Sequence, residues 1–345
     1  MRLAIGLRLR QRLANYVSPP LVHALPPVNR TAWKPRRLPT PVTDALYARL
    51  TDEDVAAVRV AATPAELEVL ESVTDDADLE RLTLALGVHH QIPGVLERTG
   101  LRMAEPPEHI HSMARGWMAA GGSSYYADLV MGSVEAATIE LRPGSRILDF
   151  GCSSGRVVRV LQSWRQDFEY FACDPNQEAI EWADDNLHSI AFLASENAPP
   201  LPYRDDFFEL VYAISIWSHY AERAAMSWFD EMHRVLAPGG VLLVTVHGLN
   251  SALQHGANPS RVKSPELLAN AAYEMLSTGY YFWDAFGTGG DWGVISSDWG
   301  EAYISPEWIV NMLAPMWEML MYATGVVEGN QDLLVLRARK VAKSG

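Results

Sequence analysis

The stretch "RILDFGCSSGR", residues 146–156, limits this chain more than any other. Arg146, Ile147 and Leu148 read as a buried strand that carries Asp149 to its end and then enters a loop holding Gly151 and Gly155. Gly151 lets the chain turn at the strand end, and Gly155 lets a following helix pack close to the strand. Exposed amides between them can face a ligand, and a carboxylate stands at the entrance. A strand, tight loop and helix in that order belong to a parallel sheet whose ligands sit beyond the carboxyl ends of its strands.

The pattern continues. Strands are predicted at 146–150, 169–173, 190–194, 208–215 and 241–246, with helices at 155–163, 177–186 and 222–235 between them. Such alternation implies an α/β, doubly wound parallel sheet covered on both faces. Asp174 closes "FEYFACD", where a carboxylate can accept both hydroxyls of a ribose. The nicotinamide fingerprint needs a further glycine that residues 156–161 lack, which argues against an NAD-linked oxidoreductase and leaves it as an alternative. A non-catalytic docking protein that keeps the fold is a third reading.

Four segments, "LDFGCSSG", "ACDPNQEAIEWA", "ENAPPLPYRDDFFELVYAISIWSH" and "MHRVLAPGGVLLVTVHG", follow one another in register. The chain resembles the class I S-adenosylmethionine-dependent methyltransferases, in particular their type 11 and type 12 domains, over about residues 141–340. The resemblance implies a Rossmann-like sheet with an antiparallel last strand, closed by a hairpin expected at 316–323 and 332–338, and S-adenosylmethionine as cofactor. By position it assigns Asp149, Gly151, Ser153 and Gly155 to the methionine part of the cofactor, with Ser153 replacing the usual middle glycine. It assigns Asp174 to the ribose, Asn197 and Ala198 to the adenine, and Ala213 to the end of the fourth strand beside the transfer site. Pro238, Gly239 and Gly240 match a structural turn.

Methyl transfer from a sulfonium is a direct displacement, so the protein must align the acceptor and take its proton. Histidine suits a base near neutrality, and His219 in "ISIWSH" and His247 in "VTVHG" both end strands at the catalytic edge. His247 is slightly preferred because Gly248 permits close approach. No histidine comes with the cysteine or carboxylate spacing of a closed zinc site, so metal-independent activity is expected. Tyr280, Tyr281, Trp283, Trp292 and Trp299 lie in a glycine-rich insertion near 279–317 that can stack on an acceptor. "GNQDLLVL" and "DWGEAYISPEW" are similar to endings of bacterial methyltransferases that accompany sugar-modifying enzymes. The expected acceptor is a hydroxyl of a small molecule, with a glycan or glycolipid among the candidates.

Charge divides the chain. Residues 1–43 form a Pro-containing arm with eight basic and no acidic residues, leaving a charge of −22 on the remainder of a chain whose total is −14. An acidic body repels phosphate backbones, so no nucleic-acid partner is expected, while the arm can touch an anionic membrane weakly. Residues 44–140 read as a helical N-terminal region: Thr63, Pro64 and Glu66 make a capping box, and a second helix over 77–86 is expected to stop at Gly87. Residues 141–345 then hold the methyltransferase domain. Cys152 and Cys173 are too few for a disulfide framework and read as buried fillers; Arg156 and Arg159 read as a solvated helix face. With no continuous apolar run of membrane length and no apolar leader, the chain is expected in the cytoplasm.

Overall fold

The computed structural model describes residues 38–110, 112, 114–115, 122–257, 265–290 and 294–340. Most of the basic arm, His111, Trp292 and Gly293 lie outside them.

A seven-stranded sheet organises the rest. Its strands are β1 (Arg146–Phe150), β2 (Glu169–Asp174), β3 (Ile190–Ala194), β4 (Phe208–Ala213), β5 (Leu236–Val246), β8 (Trp317–Val327) and β9 (Gln331–Ala338); β6 (Tyr280–Trp283) and β7 (Glu301–Ile304) pair separately. The order is β3-β2-β1-β4-β5-β9-β8. Strands β1 to β5 are parallel, and β9 runs antiparallel to both β5 and β8, so it alone opposes the other six. The chain winds outward from β1 to β3, then returns to β4 on the other side of β1. That reversal opens a crevice at the carboxyl ends of β1 and β4.

Period-two burial fixes the two faces. Ile147, Tyr212, Leu243, Leu333 and Val335 face one apolar cluster; Leu148, Val211, Ala213, Leu242, Leu334 and Leu336 face the other. The first cluster takes in Val42, Leu46, Leu84, Leu86 and Val130, so the N-terminal helices cover that side of the sheet. The second is filled by Trp228, Phe229 and Met232 of the helix Glu222–Val235 and by Trp308 and Ile309 of the helix Pro306–Leu313. Each fully buried aliphatic or aromatic side chain contributes roughly 1.5–3 kcal/mol.

Local signals account for the helix starts. Thr63 caps the helix Pro64–Ser72 in the expected box with Glu66, and Thr51 does the same with Asp54. Asp128 is a buried polar anchor: 2% exposed, it accepts from the Val42 and Thr43 amides and pairs with Arg81 at 2.9 Å.

Three expectations need correction. The helix expected to stop at Gly87 runs Asp76–His89, and a Cβ at Gly87 would lie 2.8 Å from Val95 Cγ1; this glycine serves close packing and not termination. Arg159 is 7% exposed, not solvated, because its guanidinium donates to the carbonyls of Gly155, Ser154 and Ala104 and ties the glycine loop to the N-terminal region. Arg156 instead lies over the Tyr126 ring, 4.4 Å from its centroid, and lines the central cavity.

Candidate active site

The loop after β1 is tethered from two sides. The amides of Gly151 and Cys152 both donate to the Cys173 carbonyl, at 2.8 and 3.1 Å, and the Ser153 amide donates to Asp174 Oδ2 at 2.7 Å. Gly151 has φ 81°, and a Cβ there would lie 2.2 Å from Ile216 Cδ1, so any side chain at this position would be strained and would displace Ile216. Ser153, which stands where the family usually has glycine, adopts the left-handed region at φ 49°. Its amide bond to Asp174 helps to offset that strain.

Two carboxylates face this loop. Asp149 is 4% exposed, and its buried Oδ2 accepts no hydrogen bond. Burial pushes its carboxyl up to about 7, with the Tyr212 hydroxyl pulling the other way and the Asp174 charge adding to the rise. Asp174 is pushed up to about 6 by burial, against amides donated by Asn176 and Ser153. A ligand-facing cavity of about 650 Å³ holds both, with Gly151, Ser153 and Asn197. That volume suits a small-molecule site. Of the other residues expected at the cofactor, Gly155 lies under the loop against Leu187 and Phe192, and Ala213 is in the core; they and Ala198 are not part of the cavity wall.

The same cavity continues over β4 and β5 to both expected histidines. Ser215 ends β4 early through a left-handed φ of 62°, its amide donating to Thr245 Oγ1 at 2.7 Å. The small β6–β7 sheet caps this end. Its backbone is pinned to the histidine segments: Gly300 and Ala302 donate to the carbonyls of His219 and Ser218, and Ile304 donates to that of His247, each at 2.8 Å. This aims Glu301 and Tyr303, two apart on one side of β7, into the cavity.

His219 and His247 differ in setting. His219 Nδ1 lies 2.8 Å from the Gly300 carbonyl, which can only accept, so Nδ1 holds a proton and Nε2 is the ring nitrogen able to exchange one. Trp299 flanks this ring at 4.9 Å. His247 is 4% exposed, with Nε2 3.2 Å from Gln331 Nε2 and Nδ1 3.3 Å from Glu301 Oε2. Burial works to raise the Glu301 carboxyl, but the His247 imidazole, helped by His219 and His255, brings it below its ordinary value. Glu301, Tyr303, His255 and Gln331 escape the sequence reading. The alternation in "EAYI" is the one signal that could have found the first two.

An acidic pocket ahead of a glycine loop, an acid ending β2 and this strand order converge with the family comparison, in which residues 147–240 match a methyltransferase domain. The chain carries a class I S-adenosylmethionine-dependent methyltransferase domain. S-adenosylmethionine is its cofactor, and the site residues fit it: Asp149 offers a buried acceptor without a donor, and Gly151 keeps the wall open. Similar proteins include the probable tRNA methyltransferase 9B of Bos taurus, 26% identical over 43% of this chain and 31% of that protein. The tRNA (carboxymethyluridine(34)-5-O)-methyltransferase of Arabidopsis thaliana is 31% identical over 32% of this chain and 26% of that protein. A solved S-adenosylmethionine-dependent methyltransferase from Methanosarcina mazei is 19% identical, with TM-score 0.41, over 57% of this chain and 94% of that one. The methyltransferase domain thus spans about a third or less of the length of these curated relatives.

The expectation of no nucleic-acid partner and a sugar-like acceptor is overturned by these relatives, two of which are named for tRNA. A net charge summed over a whole body does not fix the field at one cavity mouth, and that sum was the ground for the expectation. Among the described residues no helix is long and apolar enough to cross a membrane.

Proposed function

We propose that this chain transfers the methyl group of S-adenosylmethionine to a hydroxyl oxygen, with His219 receiving the hydroxyl proton at Nε2. The observation that carries this reading is the His219 Nδ1 contact with the Gly300 carbonyl, which holds a proton on Nδ1 and makes Nε2 the proton-exchanging nitrogen, within the cavity that also holds Asp149 and Asp174. When bound, the cofactor supplies an electrophilic methyl; the chain's own residues do the rest. Asp149, the Gly151 loop, Asp174 and Asn197 hold and orient the cofactor. Trp283, Phe286 and Trp299 line the acceptor end with flat apolar surface and exclude water from the transfer. His247, buried and engaged by Gln331 and Glu301, supports this wall, while the more accessible His219 takes the proton.

Aromatic surfaces of this kind suit a ring-bearing acceptor, and the tRNA-named relatives support a nucleoside among the candidates. The test is transfer of labelled methyl to unfractionated tRNA and, separately, to phenolic and alicyclic alcohols. His219→Ala should lower turnover by about 10²-fold or more with cofactor affinity unchanged. A chain that binds neither S-adenosylmethionine nor its demethylated product overturns the reading. So does full turnover of His219→Ala from pH 6 to 9.

A further inference from the structure

We propose that His247, His255 and Glu301 form a binding site for one divalent first-row transition-metal ion at the acceptor end of the cavity. The reading of that end as an acceptor site rests on the proposed function; the existence of the ion site does not.

One ligand atom from each residue lies within 4.8 Å of the other two. Nitrogen and oxygen ligands set tetrahedrally at about 2.0–2.2 Å from a shared ion stand about 3.3–3.6 Å apart, a spacing that His247 Nδ1 and Glu301 Oε2 already meet at 3.3 Å, so closure asks the His255 side chain to move in by up to about 1.5 Å. Three separate elements deliver them. His247 follows β5, His255 lies on the helix Leu249–Ala257 and Glu301 starts β7. The two imidazoles meet edge to face with centroids 5.0 Å apart. This convergence is not the by-product of one helix repeat.

Two further observations point to a ligand. His247 Nδ1 and Glu301 Oε2 are both buried and stand 3.3 Å apart, an ion-pair distance at which neither atom makes a well-formed hydrogen bond. A cation between them satisfies both. Neighbours also orient the rings. His255 Nδ1 lies 2.8 Å from Tyr303 Oη, which directs its Nε2 toward the cluster. His247 Nε2 is held by Gln331, which directs its Nδ1 toward Glu301. Coordination through Nδ1 moves the His247 proton to Nε2, and the Gln331 amide then turns its oxygen to that proton and its nitrogen to Thr245 Oγ1. The amide keeps partners in both settings, since Ser215 Oγ beside it can donate as well as accept.

Two imidazoles and one carboxylate make a borderline donor set that leaves coordination positions open, the arrangement of sites that bind a substrate oxygen and lower its pKa. An acceptor hydroxyl drawn onto the ion would stand within the cavity shared with His219. This proposal departs from the expectation of metal-independent activity, which was drawn from spacing along the chain and not from residues that the fold brings together.

The experiment uses the full chain, stripped with a chelator and titrated with Co²⁺ by visible spectroscopy and with Zn²⁺ by calorimetry, both without cofactor. One equivalent should bind, with visible Co²⁺ bands that shift in His255→Ala. His255→Ala and the near-isosteric Glu301→Gln should each weaken binding by about tenfold or more, and Gln331→Leu by about tenfold. Melting curves confirm that the variants fold, and S-adenosylmethionine affinity is measured in parallel. Absence of binding, or equal affinity in His255→Ala and Glu301→Gln, overturns the site; equal affinity would place the ion elsewhere, for instance at Glu66, His89 and His90. Metal binding without cofactor binding would sink the methyltransferase reading and leave this site standing, and the reverse result would do the opposite.

Discussion

Replacing Asp149 with asparagine tests the cofactor end of the cavity through pH. In the free protein this carboxyl is pushed up to about 7 by burial, and its Oδ2 accepts no hydrogen bond. A cationic ligand binds the ionised form, so affinity must fall as the carboxyl takes a proton. Between pH 7.5 and 6 the ionised fraction of such a group drops about eightfold, which corresponds to roughly 1.2 kcal/mol of binding free energy. Asp174, pushed up to about 6, goes from almost fully ionised to about half ionised over the same window, which adds about a twofold fall that should persist in Asp149→Asn. The sign for the ligand-free fold is the reverse: the neutral carboxyl suits its buried site, so stability rises as pH falls from about 7 toward the ordinary aspartate value. Calorimetric titration with S-adenosylmethionine at steps from pH 6 to 7.5 reads the slope directly. Asp149→Asn should flatten it to the Asp174 part alone and weaken binding at pH 7.5 by about tenfold or more, the loss of one charge-assisted hydrogen bond. A flat profile in the natural protein, or an unchanged slope in the variant, refutes the assignment.

Other outcomes follow from the same geometry. Asp174→Ala should weaken S-adenosylmethionine binding by roughly 1.5–3 kcal/mol for each hydrogen bond lost, and unchanged calorimetric affinity in a folded variant would remove it from the site. Gly151→Ala places a Cβ 2.2 Å from Ile216 Cδ1 at a φ of 81°, so the melting temperature and cofactor affinity should both fall; truncating Ile216 to alanine in the same chain should restore part of the loss, and no restoration would contradict the steric account. Arg81→Met leaves Asp128 buried without its cation and should cost about 3–5 kcal/mol in urea denaturation, whereas a loss below about 1 kcal/mol would show that the Thr43 and Val42 donors suffice.

The sheet was legible because its signals are local. Alternation of apolar strands with amphipathic helices, the glycine loop and the acid at Asp174 each act within a few residues, and the structure places β1, β2 and β3 within a residue of the expected bounds. Boundaries slipped where backbone conformation overrode pattern. β4 stops at Ala213 because Ser215 turns left-handed, and β5 starts at Leu236 because that residue already pairs with Phe208, ahead of an irregularity after which pairing resumes at Val241 opposite Leu210. Arg159 looked solvated because charge alone says so, and only the carbonyls of Gly155, Ser154 and Ala104 around it explain its burial. The histidine end of the cavity was least legible. Glu301 lies 54 positions beyond His247 in the sequence, and nothing near either one announces the other.

The strand that begins at Glu301 carries a consequence for how this protein can change. Its backbone holds the carbonyls of Ser218 and His247, and Gly300 just before it holds that of His219, while its side chains shape the chamber for the incoming molecule. On the proposed reading, choice of acceptor and aim of the proton-handling groups are therefore written on one short piece of polypeptide. Grafting this segment from a relative of different preference would import a new chamber and retune the histidines in the same step. Divergence within this architecture should then proceed by replacing the whole cap, with single substitutions inside it tending to cost turnover before they broaden selectivity.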